Sequence, residues 1–239
     1  VGQATLARND SSMSGPAITP IPVVILISGR GSNLRAIIDA VEHDDLPIDI
    51  RAVISNRPAA GGLQYAAEAG IATDVIDHTE YTERAAFDHA LQVRIDACQP
   101  ELVILAGFMR ILTEDFVRHY RGRMLNIHPS LLPEFPGLNT HQRALDAGCK
   151  VHGASVHFVT ADMDGGPVFL QARVAVRAGD TAEQLAARVL EQEHRLYPQA
   201  IRLFAEGRLS LRDNDEILLD GAVMDQPLQL PAPADAPGP

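Results

Sequence analysis

Short apolar runs alternate with amphipathic stretches through the first half of the chain, and that alternation predicts the fold. Residues 23–27 (VVILI) form a continuous, mostly β-branched run, the pattern of a strand buried on both faces. The run breaks into residues 28–33 (SGRGSN), after which Leu34, Ile37, Ile38 and Val41 recur at helical spacing. Residues 50–55 read as a second strand, and a helix over 62–69 is stopped by Gly70. Residues 72–76 give a third strand, and 80–98 a helix with Phe87, Leu91 and Ile95 along one face. A fourth strand covers 102–106, a helix 113–120, and a fifth strand 124–128, which ends where Pro129 forces His128 into an extended conformation. Such alternation predicts an α/β fold: a Rossmann-like, doubly wound, mostly parallel sheet that binds ligands at the carboxyl ends of its strands. The glycine-rich turn and His128 should share that edge.

Past Pro133 the pattern changes. A helix is expected over 140–147, then strands over 152–159 and 168–176, whose short connection favours an antiparallel pair added to the sheet. Asp180 and Thr181 can cap a long helix reaching about residue 207, and a hairpin follows around 213–221. The expected organisation is an N-terminal arm (1–22), one folded domain (23–221) and a flexible tail (222–239), with 229–239 reading as disorder.

The formal net charge of −11 argues against a general nucleic-acid surface, which needs clustered cations. No apolar run before residue 22 is long enough for a signal peptide or a membrane span, so a cytoplasmic location without membrane attachment is expected. The 2 cysteines, Cys98 and Cys149, have no metal-ligand spacing and read as unpaired. Lys150 is the only lysine, which leaves little room for Schiff-base chemistry.

Three places can carry chemistry. The turn at 28–33 exposes backbone N–H groups at a helix N-terminus, an anion site in which Gly29 and Gly31 allow close approach. There Ser32 and Asn33 can cap the helix and donate to a phosphate. The turn fits neither the P-loop nor the dinucleotide pattern, and a tight turn without a ligand is its bland reading. Asn126 and His128 stand at a strand end, and Asp162 and Asp164 lie in a glycine-rich loop. Singly, the histidine reads as a structural hydrogen-bonding residue and the aspartates as turn residues. Together they suit attack on a carbonyl carbon: a carboxylate favours the charged imidazole, and an amide donates to the developing oxyanion. No serine or cysteine is placed as an enzymic nucleophile, so the substrate must bring one. No H-E-x-x-H or paired-cysteine motif is present, and no metal is expected.

Longer motifs narrow this further. Residues 126–133 (NIHPSLLP) and 164–167 (DGGP), with SGRGSNL at 28–34, AGFMRIL at 106–112, PGL at 136–138 and HGASVH at 152–157, resemble the signature of the folate-dependent formyltransferases. The likeness runs from about residue 23 to 221. It implies transfer of a formyl group from the co-substrate 10-formyltetrahydrofolate to the amine of glycinamide ribonucleotide, with no metal. It further implies that Gly31, Ser32 and Asn33 hold the ribonucleotide phosphate, and that Leu190, Glu191, Gln192 and Glu193 face the ribonucleotide. Arg84 and Met109, Arg110, Ile111 and Leu112 would bind the folate, with Thr160, Ala161, Asp162, Met163 and Asp164 closing over the pterin and Asn126 beside them. Asn126, His128 and Asp164 would form the catalytic set.

One departure is visible: the position after PGL, often histidine in the family, is Asn139. Three rivals can be weighed. A tRNA formyltransferase is expected to carry an additional C-terminal basic domain, and a formyltetrahydrofolate hydrolase a regulatory domain before the first strand. A non-catalytic nucleotide-binding domain leaves Asn126, His128 and Asp164 without a purpose. The hydrolase is the nearest alternative, and a monomer or a homodimer is expected.

Overall fold

A computed structural model describes residues 18–231, so the expected arm before residue 18 and the tail beyond 231 lie outside the described residues. The chain runs β1 (Ile21–Ile27), α1 (Ser32–His43), β2 (Ile48–Ser55), α2 (Gly62–Glu68) and β3 (Thr73–Val75). It continues with α3 (Arg84–Asp96), β4 (Leu102–Leu105), α4 (Glu114–His119), β5 (Met124–His128) and α5 (Thr140–Asp146). Then follow β6 (Val151–Phe158), β7 (Val168–Ala175), α6 (Ala182–Ala205), β8 (Leu209–Leu211), β9 (Ile217–Leu219), β10 (Ala222–Val223) and β11 (Leu228–Gln229).

One sheet takes the order β11-β7-β6-β5-β4-β1-β2-β3, and β8, β9 and β10 form a small second one. The pairs from β3 through β5 are parallel, whereas β6 is antiparallel to both β5 and β7. This is the doubly wound sheet with an added antiparallel pair that the pattern predicts. The side chains of β1 show why a continuous apolar run was needed. Val23, Ile25 and Ile27 face a core layer built with α1, α2 and α6, while Val24 and Leu26 face another built with α3 and α4. Five consecutive residues fully removed from water leave no position where a polar side chain fits.

Several boundaries differ from expectation. The helix expected from residue 80 begins at Arg84, because His78–Glu80 forms a single 3-10 turn capped by Asp77, and Tyr81 and Glu83 are extended. Ile21 and Pro22 belong to β1 rather than to an arm; there Ile21 donates its N–H to the Pro47 carbonyl. The expected hairpin is a three-stranded sheet, with β10 folding back on β9. Residues 222–231 are not a structureless tail: Leu228 and Gln229 pair in parallel with Leu170 and Gln171 of β7. Backbone pairing makes most of that contact, with a side-chain bond from Gln229 Nε2 to Gln171 Oε1 beside it, and so short a strand leaves no alternating pattern to read. The cap on α6 is as expected at Thr181, in a capping box with Gln184.

Candidate active site

Parallel pairing sends the carboxyl ends of β1, β4 and β5 to one edge, where the loops 28–31, 106–113 and 129–139 emerge side by side. Two hydroxyls, those of Tyr197 and Ser28, fix this edge. The Tyr197 hydroxyl of α6 lies 2.9 Å from the Leu105 carbonyl and 3.0 Å from that of Leu125. Ser28 Oγ donates to Asn56 Oδ1 (2.5 Å) and accepts the Met109 N–H (2.7 Å), tying the ends of β1 and β2 to the loop after β4.

The first turn is shaped for close backbone approach. Gly31 adopts φ +78°, and a Cβ there would come within 2.4 Å of Gly62 Cα, so glycine is required twice over. Gly31 is itself the N-cap of α1 and no side chain caps the helix, contrary to the capping expected of Ser32 and Asn33. The Asn33 amide has another partner: its Nδ2 donates to Glu193 Oε2 at 2.8 Å, while its Oδ1 is buried and unpartnered among the described residues. Burial pushes the Glu193 carboxyl up, and the Asn33 bond opposes that. Glu193 therefore joins the turn. Leu190 is half-buried, Glu191 is exposed, and Gln192 accepts a bond from Arg195, so no contact in the structure ties those three to the turn. The free N–H groups, the α1 N-terminus and a buried carboxyl suit an anion joined to a polyhydroxyl group.

The catalytic candidates meet at the end of β5. His128, 5% exposed, has Nε2 3.0 Å from the Phe135 carbonyl oxygen and Nδ1 3.4 Å from Asp164 Oδ2. A ring facing an acceptor at each nitrogen satisfies both only with two N–H groups, as imidazolium. Asp164 Oδ2 also accepts the Gly137 N–H at 2.8 Å, which fixes the carboxylate against the loop that carries Phe135. Phe135, Asn139 and Asp164 all have positive φ, near +53°, +56° and +52°. At Phe135 this is strain, and it coincides with the carbonyl that meets His128. Asn139, where the family often has histidine, is the N-cap of α5 in a conformation asparagine adopts readily.

His157 joins this group although sequence reasoning did not select it. Its ring is 2% exposed; Nδ1 lies 2.9 Å from the Phe158 carbonyl and Nε2 lies 3.1 Å from Asn126 Nδ2. Nδ1–H thus donates to the carbonyl, and Nε2 accepts from the Asn126 amide. Burial lowers the His157 pKa, the neutral state that this acceptor role needs. Asn126 has one N–H committed to His157 and a second that is free among the described residues.

Apolar side chains stand open around this centre. Met109 and Ile111 are 63% and 56% exposed on the loop after β4, and Leu138 and Met163 are 73% and 60% exposed, on the loop after β5 and on the loop that carries Asp164. Four such residues on adjoining loops suit a planar, partly apolar ligand. Arg110 and Leu112 are half-buried beside Met109 and Ile111, and Thr160, Ala161 and Asp162 lead into Asp164. Arg84 is exposed at the start of α3.

Beneath His128 lie two further rings, His141 and His152, with centroids 5.2 Å apart in an edge-on arrangement. Burial lowers both, His152 to about 4, and the charge of a neighbouring histidine adds to the effect. An unfolded imidazole takes a proton below about 6.5, whereas folded His152 refuses it down to about 4, so stability drains away over that interval as the pH falls. The Tm should accordingly decline from pH 6.5 toward 4, and less steeply in His152→Asn. An unchanged slope in that variant would assign the acid sensitivity to other groups.

Among the described residues no helix is long and apolar enough to cross a membrane, and no group of three or more His, Cys, Asp or Glu could hold a metal ion. Residues 21–201 match the formyl transferase family. The phosphoribosylglycinamide formyltransferase of Escherichia coli is 54% identical over 192 residues, 80% of this chain and 91% of that protein. The human trifunctional purine biosynthetic protein adenosine-3 is 47% identical over 195 residues, 82% of this chain but 19% of that much longer protein. The structure of the Coxiella burnetii phosphoribosylglycinamide formyltransferase superposes with a TM-score of 0.85 at 50% identity, covering 89% of this chain and 100% of that one.

Proposed function

Since the chain belongs to the formyl transferase family, we propose that it is a phosphoribosylglycinamide formyltransferase. It moves the formyl group of 10-formyltetrahydrofolate to the amine of glycinamide ribonucleotide, a step of purine biosynthesis. The observation that carries the reading is the meeting of Asn126, His128 and Asp164 on the same sheet edge as the Gly31–Asn33 turn. A phosphate anchor and a carbonyl-activating group are thereby held apart on one rigid surface. Of the two fates of a formyl group, transfer is favoured over hydrolysis by relatives of high identity that are transferases.

In this reading Gly31, Ser32 and Asn33 hold the phosphate and Glu193 hydrogen-bonds the ribonucleotide. Met109, Arg110, Ile111 and Leu112, with Arg84 and residues 160–164, hold the folate; the open apolar side chains of those loops fit a pterin ring. The folate supplies the formyl carbon, which the substrate amine attacks with a new C–N bond forming as the bond to the folate nitrogen breaks. The free N–H of Asn126 donates to the oxygen as it gains charge. His128, with both nitrogens turned to protein oxygens, acts in this arrangement through its positive charge. Asp164 holds that charge and the ring's orientation. The proton shed by the attacking nitrogen leaves with the folate nitrogen, so no enzymic nucleophile is needed.

An absorbance assay with a 10-formylfolate donor tests this directly. Donor turnover should require the ribonucleotide. Equal turnover in its absence would instead identify a hydrolase.

A further inference from the structure

The buried face of α3 is apolar at Phe87, Leu91 and Ile95, yet it also carries Asp88, which is 3% exposed. A carboxylate in that position is unfavourable unless it is hydrogen-bonded. Asp88 has one bond: Oδ2 accepts the Thr113 N–H at 2.6 Å, while Oδ1 is buried and unpartnered among the described residues. So sparsely satisfied a charge is a poor stabiliser, and a packed apolar residue would serve the core better. What Asp88 does is hold one backbone atom in place.

That atom closes the loop after β4. The loop leaves the strand at Gly107 with φ +76° and is fastened at its near end where Ser28 Oγ accepts the Met109 N–H. In the middle the Arg110 guanidinium lies 5.3 Å from the centroid of the Phe87 ring, with its Nε buried and unpartnered among the described residues. At its far end Asp88 takes the N–H of Thr113, the residue whose Oγ1 also caps α4. Between these anchors stand Met109 and Ile111, more than half exposed. The backbone is fixed from below while the apolar side chains are presented outward.

We propose that Asp88 is a positioning residue for the folate-binding loop: by gripping Thr113 it sets how Met109 and Ile111 meet the folate donor. The proposal rests on the reading that residues 109–112 line the folate pocket. It separates the two substrates, because Asp88 touches nothing on the ribonucleotide side. Loss of its grip loosens the far end of one loop and leaves Asn126, His128, Asp164 and the Gly31–Asn33 turn as they are.

The experiment measures KM for each substrate and kcat in Asp88→Ala and Asp88→Asn, with Ile111→Ala as a reference for the loop. Asp88→Ala should raise the KM for the folate donor about tenfold, the equivalent of one hydrogen bond to a charged group. The KM for the ribonucleotide and kcat should stay within about twofold, because no group on that side is altered. Asp88→Asn, which keeps an acceptor oxygen without the charge, should raise the folate KM about threefold, because a neutral acceptor is roughly half as strong. If Asp88→Ala does not fold, the asparagine variant decides alone. A raised folate KM in Ile111→Ala together with unchanged folate KM in the Asp88 variants would overturn the proposal and make Asp88 a purely structural residue. No effect in Ile111→Ala would remove the folate from this loop, and the proposal would fall with that reading.

Discussion

Asp164→Asn is expected to lower kcat by about 10⁴-fold, the scale seen when the carboxylate behind a catalytic imidazole becomes an amide. The substitution is close to isosteric. Oδ2 is the atom that accepts from Gly137 and faces His128, and Oδ1 lies 4.0 Å from His157 Nε2. An asparagine with its oxygen in the Oδ2 position keeps the Gly137 bond and places its NH2 at the Oδ1 position, which accepts no hydrogen bond among the described residues. The loop therefore stays folded and the Tm should change little. What disappears is the negative charge 3.4 Å from His128 Nδ1. Kinetics and a thermal melt on the same preparation check this. Formyl transfer near the wild-type rate would remove Asp164 from the catalytic set.

Asn126→Ala should reduce kcat by about 10²–10³-fold, or about 3–4 kcal/mol of barrier, as loss of one oxyanion donor commonly does. KM for both substrates should change far less, because the amide's bond to the reacting oxygen strengthens only as charge develops. The His157 contact adds a second arm to the test. In His157→Phe the Asn126 side chain remains but loses the acceptor 3.1 Å away that fixes which way its N–H groups point. A smaller drop in kcat is expected there, on the order of tenfold, equivalent to one hydrogen bond. Wild-type kcat in Asn126→Ala would leave the oxyanion to another donor.

Much of this was legible in the residues. The all-apolar run of β1 announced a strand covered on both faces, and β1 is covered on both faces. The strand-to-proline ending at His128 announced a side chain offered at a sheet edge, where it is found against Asp164. His157 is less legible, although it belongs to the HGASVH stretch at 152–157. His152 and His157 are five residues apart on one strand and so point to opposite faces; only the antiparallel register, which sets His157 against Asn126, decides which of them meets the amide. Register across a long connection is not written in local sequence. Glycine chemistry gave the shape of the first turn but not its capping, because the partner of Asn33 is Glu193, 160 residues away. The strand at Leu228–Gln229 left no trace for a simpler reason: two backbone-paired residues beside prolines look like any other loop.

The Tyr197 hydroxyl has a consequence for which acceptors the protein can use. It ties α6 to the neighbouring strands β4 and β5, and Glu193 sits one helical turn earlier on the same buried face. The carboxyl that meets Asn33 and the strand that carries Asn126 are thus parts of one frame whose span no ligand sets. Such a frame works as a gauge. If the glycine turn holds the phosphate and Asn126 the reacting oxygen, as proposed, a molecule that reaches from one to the other presents its nitrogen at the formyl carbon, whereas a shorter amine occupies one end and leaves the other out of reach.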